Sequence, residues 1–253
     1  LFTMDPEGNL SPKHIVLDGL AALHDLASIT QGPGASVYLL ASQSYSKGGK
    51  RSPHRSAFLK ISTAGDSYAL LNARTLAPTL EDAGADTLKA LGLIDGTRPL
   101  DIEGMVSFDG ALYLGLKAPL APDGRAIIWK LTNPDGFIRG EVGAEALTLH
   151  AKVQLDAEVD GMSVPGGISD LYIDKDGALF ITSTPSTGDK GSPTGRLWRA
   201  EAEALTTGGV FDAEPVQSFP GLKPEGIAQG PKGEGLVVVF DNGDAPPQWT
   251  TIP

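Results

Sequence analysis

Leu100-Asp101-Ile102-Glu103-Gly104-Met105-Val106-Ser107-Phe108-Asp109-Gly110-Ala111-Leu112-Tyr113-Leu114-Gly115-Leu116 reads as a strand, an Asp-Gly turn and a second, more apolar strand. A carboxylate stands just ahead of the first strand. Asp-Gly between two apolar runs is a strong hairpin signal, because both residues tolerate positive φ. Three other segments carry the same pattern. One runs from His24-Asp25-Leu26 through Gly32-Pro33-Gly34 to Val37–Ser42. Another runs from Gly167-Ile168-Ser169-Asp170 through Asp176-Gly177 to Leu179–Ser183, and the last from Pro224-Glu225-Gly226 through Lys232-Gly233 to Leu236–Phe240.

A loop and a third strand follow the first three hairpins, at Ser56–Ile61, Ala126–Leu131 and Arg196–Ala200. Fourth strands are expected at Tyr68–Asn72, Leu147–Val153 and Val216–Phe219. Four antiparallel strands repeated in series are the sequence form of a β-propeller blade. The expected fold is therefore all-β, one domain over residues 1–253, a propeller of about five blades or a piece of a larger one. A generic antiparallel sandwich is the competing architecture. Thr79–Gly92 carries Leu80, Leu88 and Leu91 near helical spacing, early acids and a terminal Gly, and reads as one short helical insertion. Leu1–Met4, a turn at Pro6–Asn9 and a strand at His14–Leu17 read as the end of a blade. Trp249–Ile252 reads as a third strand near the C-terminus, so one blade is expected to be completed from both chain ends.

Composition narrows the partners. The 253 residues hold 20 basic and 31 acidic side chains, a net charge of −11, which disfavours nucleic acid and anionic membranes. No cysteine is present, so disulfides and thiolate chemistry are excluded. No run of 18 apolar residues exists to span a membrane. The chain opens on Leu1 in strand-like sequence, which suggests processing and a periplasmic or secreted location.

The first strand of each blade lines a propeller's central channel, and Asp25, Asp101, Glu103, Asp170 and Glu225 fall at the entries to those strands. Carboxylates converging on one axis repel unless a cation or proton is shared. Ca²⁺, a hard cation that takes carboxylate oxygens, is the candidate metal. Each acid taken singly also admits a purely structural role, capping its repeat by accepting backbone N–H groups of a neighbour. The loop Ser44–Arg55 concentrates basic side chains in an acidic chain. Arg51 and Arg55, with Lys50 and His54, suit a phosphate or carboxylate, and a solvated hairpin loop is the alternative. It is not a P-loop, because Arg51 stands where Ser or Thr would hold Mg²⁺. Asp174-Lys175-Asp176-Gly177 opens like a calcium loop but runs straight into a strand, so it reads as a hairpin turn. Asp241-Asn242-Gly243-Asp244 reads as a turn as well, and Trp129, Trp198 and Trp249 as packing residues. Gly-x-Ser-x-Gly and His-Glu-x-x-His are absent.

Several stretches resemble an uncharacterised family of bacterial β-propellers, itself distantly similar to esterase-like phytase propellers. These are Asp25–Ser28 through Ala41–Ser44, the Lys47-Gly48-Gly49-Lys50-Arg51…Arg55 loop, Asp101–Gly104 with Leu114–Pro119, and Gly167–Leu171. The resemblance spans most of residues 20–245. The first repeat carries Ala27 where the second has Glu103, and the third carries Ser169-Asp170 in place of Glu-Gly. Two functions are expected. One is a non-catalytic extracytoplasmic module that binds a small anionic ligand, a sugar polymer or a protein at one channel mouth. The other is a Ca²⁺-dependent phosphoester hydrolase in which Glu103, Glu225 and Asp170 hold the metal and Arg51 and Arg55 the phosphate.

Overall fold

The computed structural model describes residues 5, 7, 9, 11–20, 22–64, 68–186, 192–230, 233–243, 246 and 248–253. The expected strand Leu1–Met4 lies outside them, as do Pro6 and Gly8 of the first turn, Lys232 and Asp244. Among the described residues the strands form four mainly antiparallel sheets. Sheet I is the meander β1 (Leu26–Gln31), β2 (Ser36–Ala41), β3 (Ala57–Ser62) and β4 (Ala69–Thr75). Sheet II repeats it with β5 (Asp101–Phe108), β6 (Ala111–Ala118), β7 (Ala126–Leu131) and β8 (Leu147–Val153). Sheet III contains β9 (Asp156–Val159), β10 (Met162–Ile173), β11 (Ala178–Pro185), β12 (Pro193–Glu201) and, after the parallel addition of β13 (Gly209–Phe211) to β8, the outer strand β14 (Glu214–Pro220). Sheet IV has β15 (Lys223–Gln229), β16 (Leu236–Asp241) and β17 (Gln248–Ile252).

The alternation of side chains explains how the sheets stack. Neighbouring residues on a strand point to opposite faces. Tyr38, Leu40 and Phe58 of sheet I meet Leu112, Leu114 and Trp129 of sheet II in one core. The intervening Tyr113 and Ile128 face the other way and meet Ile168, Ile181 and Trp198 of sheet III. Leu197 and Phe180 of sheet III turn to Ile227, Val238 and Phe240 of sheet IV. Each inner sheet is thus buried on both faces, which is why its strands read as continuous apolar runs. Burying each such side chain contributes roughly 1.5–3 kcal/mol. Trp129 is fully buried and gives its indole N–H to Leu91 O at 2.9 Å. Trp198 donates to Ser183 Oγ at 2.8 Å, whereas Trp249 stays exposed on β17.

The structure revises several expectations. Four sheets are present among the described residues, not five. The single helix expected at Thr79–Gly92 is two, α1 (Leu76–Asp82) and α2 (Ala85–Ala90), because Gly84 at φ +87° interrupts the turn. His14–Leu17 is not a strand. Its neighbour Asp18 bridges to Ala69 at the edge of sheet I, and Leu17, Leu20 and Leu23 cover that sheet's outer face. The β9–β10 hairpin across Asp160-Gly161 was not anticipated, nor were α3 (Pro134–Arg139) and α4 (Glu203–Thr207). No helix among the described residues is long and apolar enough to cross a membrane.

Candidate functional site

The strands that lead the four hairpins read from the sequence, β1, β5, β10 and β15, run side by side in the same direction. Ser107 N donates to Thr30 Oγ1 at 3.2 Å, tying β5 to β1. Asp170 on β10 accepts from Ile227 N of β15 at 2.9 Å, from its neighbour Leu171 N at 2.8 Å, and from Met105 N of β5. One carboxylate therefore clamps three sheets through backbone N–H groups. Close packing helps. A Cβ on Gly104 would meet Ile168 Cγ2 at 2.8 Å, and one on Gly115 would meet it at 2.4 Å.

Between the C-terminal halves of these strands lies a cavity of about 950 Å³. Val106, Ile173, Ile227, Val237 and Val239 supply much of its wall, with Ile29 and Thr30 from β1 and Tyr172 from β10. Ile29 and Val239 are substantially exposed to it, at 54% and 39%. At one edge the first turn of α3 brings in Asp135. Asn133 caps that helix by accepting from Gly136 N at 2.9 Å, and Gly140 ends it in the left-handed region. Asp135 Oδ1 accepts from Tyr38 Oη at 2.6 Å and Lys60 Nζ at 2.7 Å. Burial works against its ionisation, but the Lys60 and Tyr38 hydrogen bonds and the Lys60 charge hold its carboxyl below the ordinary range. Two carboxylates, Asp135 and Asp170, line the cavity, and among the described residues no Lys, Arg or His does.

The N-terminal ends of the strands carry a separate charged network. Lys117 on β6 contacts Glu103 Oε2 at 2.8 Å and Glu225 Oε1 at 3.5 Å, and Glu225 is within hydrogen-bonding reach of Glu103. Burial opposes the Lys117 charge, but Glu103 and Glu225 overcome it and hold the ammonium above its ordinary range. Burial and the Glu103 charge push the Glu225 carboxyl well up. Asp101 is pushed up to about 7 by burial and by Glu103, against the pull of Lys117. Its buried Oδ1 has no hydrogen-bond partner among the described residues. Burial also lifts Asp170 to about 7, offset in part by its three N–H donors.

The acids proposed as metal ligands are thus brought to one region but shared out among other partners. Glu103 and Glu225 hold Lys117, and Asp170 holds backbone. Asp25 accepts from Ser42 Oγ and from Arg55 Nη2. No three His, Asp or Glu side chains converge as a ligand set among the described residues. The expected anion clamp is divided too. Arg51 has a side chain only 6% exposed and bonds Glu81 at 2.8 Å, Thr97 Oγ1 at 3.1 Å and Thr97 O, with its guanidinium 4.3 Å from the Tyr45 ring centroid. Arg55 joins Asp25 and Ser44. Lys50 and His54 are exposed, with His54 5.2 Å from the His24 ring.

Sequence reading located the entry acids but missed the cavity, which opens toward the hairpin turns. Asn133-Pro134-Asp135-Gly136…Gly140, a helix start and stop, was the available signal for Asp135.

No family model and no curated protein matches the chain. Among solved structures, the crystal structure of Saccharomyces cerevisiae Sqt1 aligns at 10% identity and a TM-score of 0.33, over 89% of this chain. The chain spans 45% of that structure's length.

Proposed function

We propose that this protein is a binding module of β-propeller type, with sheets I to IV as blades, that takes a small molecule in the cavity between the first strands. Its support is one observation: the leading strands of all four sheets contribute to a single cavity of about 950 Å³. That size, and a wall more apolar than polar, suit a ligand site. Face-to-face stacking of successive meanders with their first strands inward suits the propeller. The phosphoester-hydrolase reading draws less support, because Arg51, Arg55, Glu103 and Glu225 are engaged with partners inside the fold.

The test is a thermal-shift screen of a small-molecule library against the wild type and Val239→Trp, which fills the cavity from an exposed wall position. Hits that stabilise the wild type and are lost in a normally folded Val239→Trp support the reading. Hits retained by the variant place binding elsewhere, and a protein partner replaces this reading if no small molecule stabilises the wild type.

A further inference from the structure

We infer that the cavity selects an organic ammonium: a cation held toward Asp170, with its apolar body against Val106, Ile173, Ile227, Val237 and Val239. This deepens the binding reading above and rests on it.

The charge inventory carries the argument. Asp170 stands in the cavity wall with only backbone N–H partners, and among the described residues no basic side chain pairs with it. The second wall carboxylate, Asp135, is already matched by Lys60. Asp170 is therefore the wall group that lacks a counter-charge. The other ends of the same strands carry Asp101, Glu103 and Glu225, where among the described residues Lys117 is the one cation bonded to Glu103 and Glu225. A cleft walled by one sign of charge and low-dielectric side chains concentrates ions of the other sign. An anionic ligand meets the opposite situation, since the wall offers it no Lys, Arg or His. A bare metal ion fits poorly, because one wall carboxylate is paired with Lys60 and the other accepts three backbone N–H groups, which leaves few carboxylate oxygens to replace its hydration shell. An ammonium that carries hydrocarbon satisfies both parts of the wall, its charge against the carboxylate and its chain against exposed Ile29 and Val239.

The experiment is calorimetric titration at pH 8, where Asp170 is ionised although burial lifts it to about 7, with three probes of equal chain length: hexyltrimethylammonium, hexanol and hexanoate. The cation is expected to bind wild type at least about tenfold more tightly than either other probe, a difference of about 1.4 kcal/mol, and less so at high salt. Asp170→Asn should remove the preference. Because that change also disturbs the N–H clamp, Val239→Lys serves as the second variant. It adds a cation to an exposed wall position, and should cost cation binding while leaving hexanoate unharmed or improved. Hexanol binding as tightly as the cation overturns the charge assignment and leaves the binding module standing. Hexanoate binding as tightly, or a Val239→Lys variant that keeps full cation affinity, overturns it too. Failure of all three probes overturns the ammonium assignment, and the library screen with Val239→Trp then judges the cavity itself.

Discussion

Lys117 Nζ lies 2.8 Å from Glu103 Oε2 on the paired strand of its own sheet, and the same ammonium reaches Glu225 Oε1 on sheet IV at 3.5 Å. One cation thus offsets two acids from different sheets, all three side chains being at most a quarter exposed. Removing it strands two like charges in a poorly solvated place. Breaking a buried ion pair by deleting one partner costs about 3–5 kcal/mol. Lys117→Met is expected to lose about 3 kcal/mol at pH 7 by urea unfolding. The deficit should shrink at pH 5, where Glu225, held well above the ordinary carboxyl range, takes up a proton. A variant as stable as wild type at pH 7 would show that the ammonium is dispensable to the fold.

Asp101 and Asp170 both have folded-state values near 7, raised above an ordinary carboxyl near 4. Between those values the folded chain binds more protons than the unfolded one, so each group favours folding at acid pH and loses that contribution as pH rises to about 7. The two should nevertheless respond oppositely to amide substitution. Asp101 Oδ1 is buried without a partner among the described residues and burial disfavours the charge more than Lys117 favours it, so Asp101→Asn should stabilise by about 1 kcal/mol at pH 8. Asp170 accepts three backbone N–H groups, and an amide turns a donor toward them, so Asp170→Asn should destabilise at every pH. Urea midpoints at pH 5 and pH 8 separate the cases, and parallel behaviour of the two variants would refute the assignment.

The hairpins were legible because each couples apolar alternation with a turn the backbone needs. Asp109-Gly110 has both residues at positive φ, +48° and +74°. β7 and β8 were read to the residue from their apolar patterns alone, with no tight turn between them. The β9–β10 hairpin carried an equally good Asp160-Gly161 signal, but its strands Asp156–Val159 and Met162–Pro165 are four residues each and mostly polar or exposed, too short and too polar to stand out as apolar runs. The site was half legible. Carboxylates at strand entries follow from repeat position, so Asp101, Glu103, Asp170 and Glu225 could be listed. Their partners depend on sequence-distant geometry: Lys117 sits 108 residues from Glu225. The cavity itself is a product of sheet stacking, and no local pattern encodes it.

Sheet II and sheet III approach so closely that Gly115 has no room for a methyl group, its Cβ position lying 2.4 Å from Ile168 Cγ2. Overpacking of this kind costs about 1–3 kcal/mol. Gly115→Ala should therefore lower stability by that amount, and Gly115→Ala combined with Ile168→Ala should cost less than the two single changes together, since alanine lacks the Cγ2 methyl that the new Cβ would meet. A double-mutant cycle on thermal midpoints checks the coupling. Strict additivity would mean that the clash is relieved by backbone movement and not by Ile168.

Arg51 offers the sharpest contrast between a structural and an anion-binding role. Its guanidinium spans Glu81 Oε1, Thr97 Oγ1 and Thr97 O while stacking on Tyr45, so it pins the Ser44–Arg55 loop to the segment that follows α2. A lysine has one ammonium and no planar fork, so it cannot reach these acceptors together or stack in the same way. Hydrogen bonds involving a charged group are worth about 1.5–3 kcal/mol each when a partner is left unsatisfied. Arg51→Lys should accordingly lower stability by about 2 kcal/mol, while millimolar inorganic phosphate should shift the melting of neither protein. The reverse pattern, unchanged stability and a phosphate shift present in wild type but lost in the variant, would make Arg51 an anion clamp. The loop would then open a second binding surface away from the cavity.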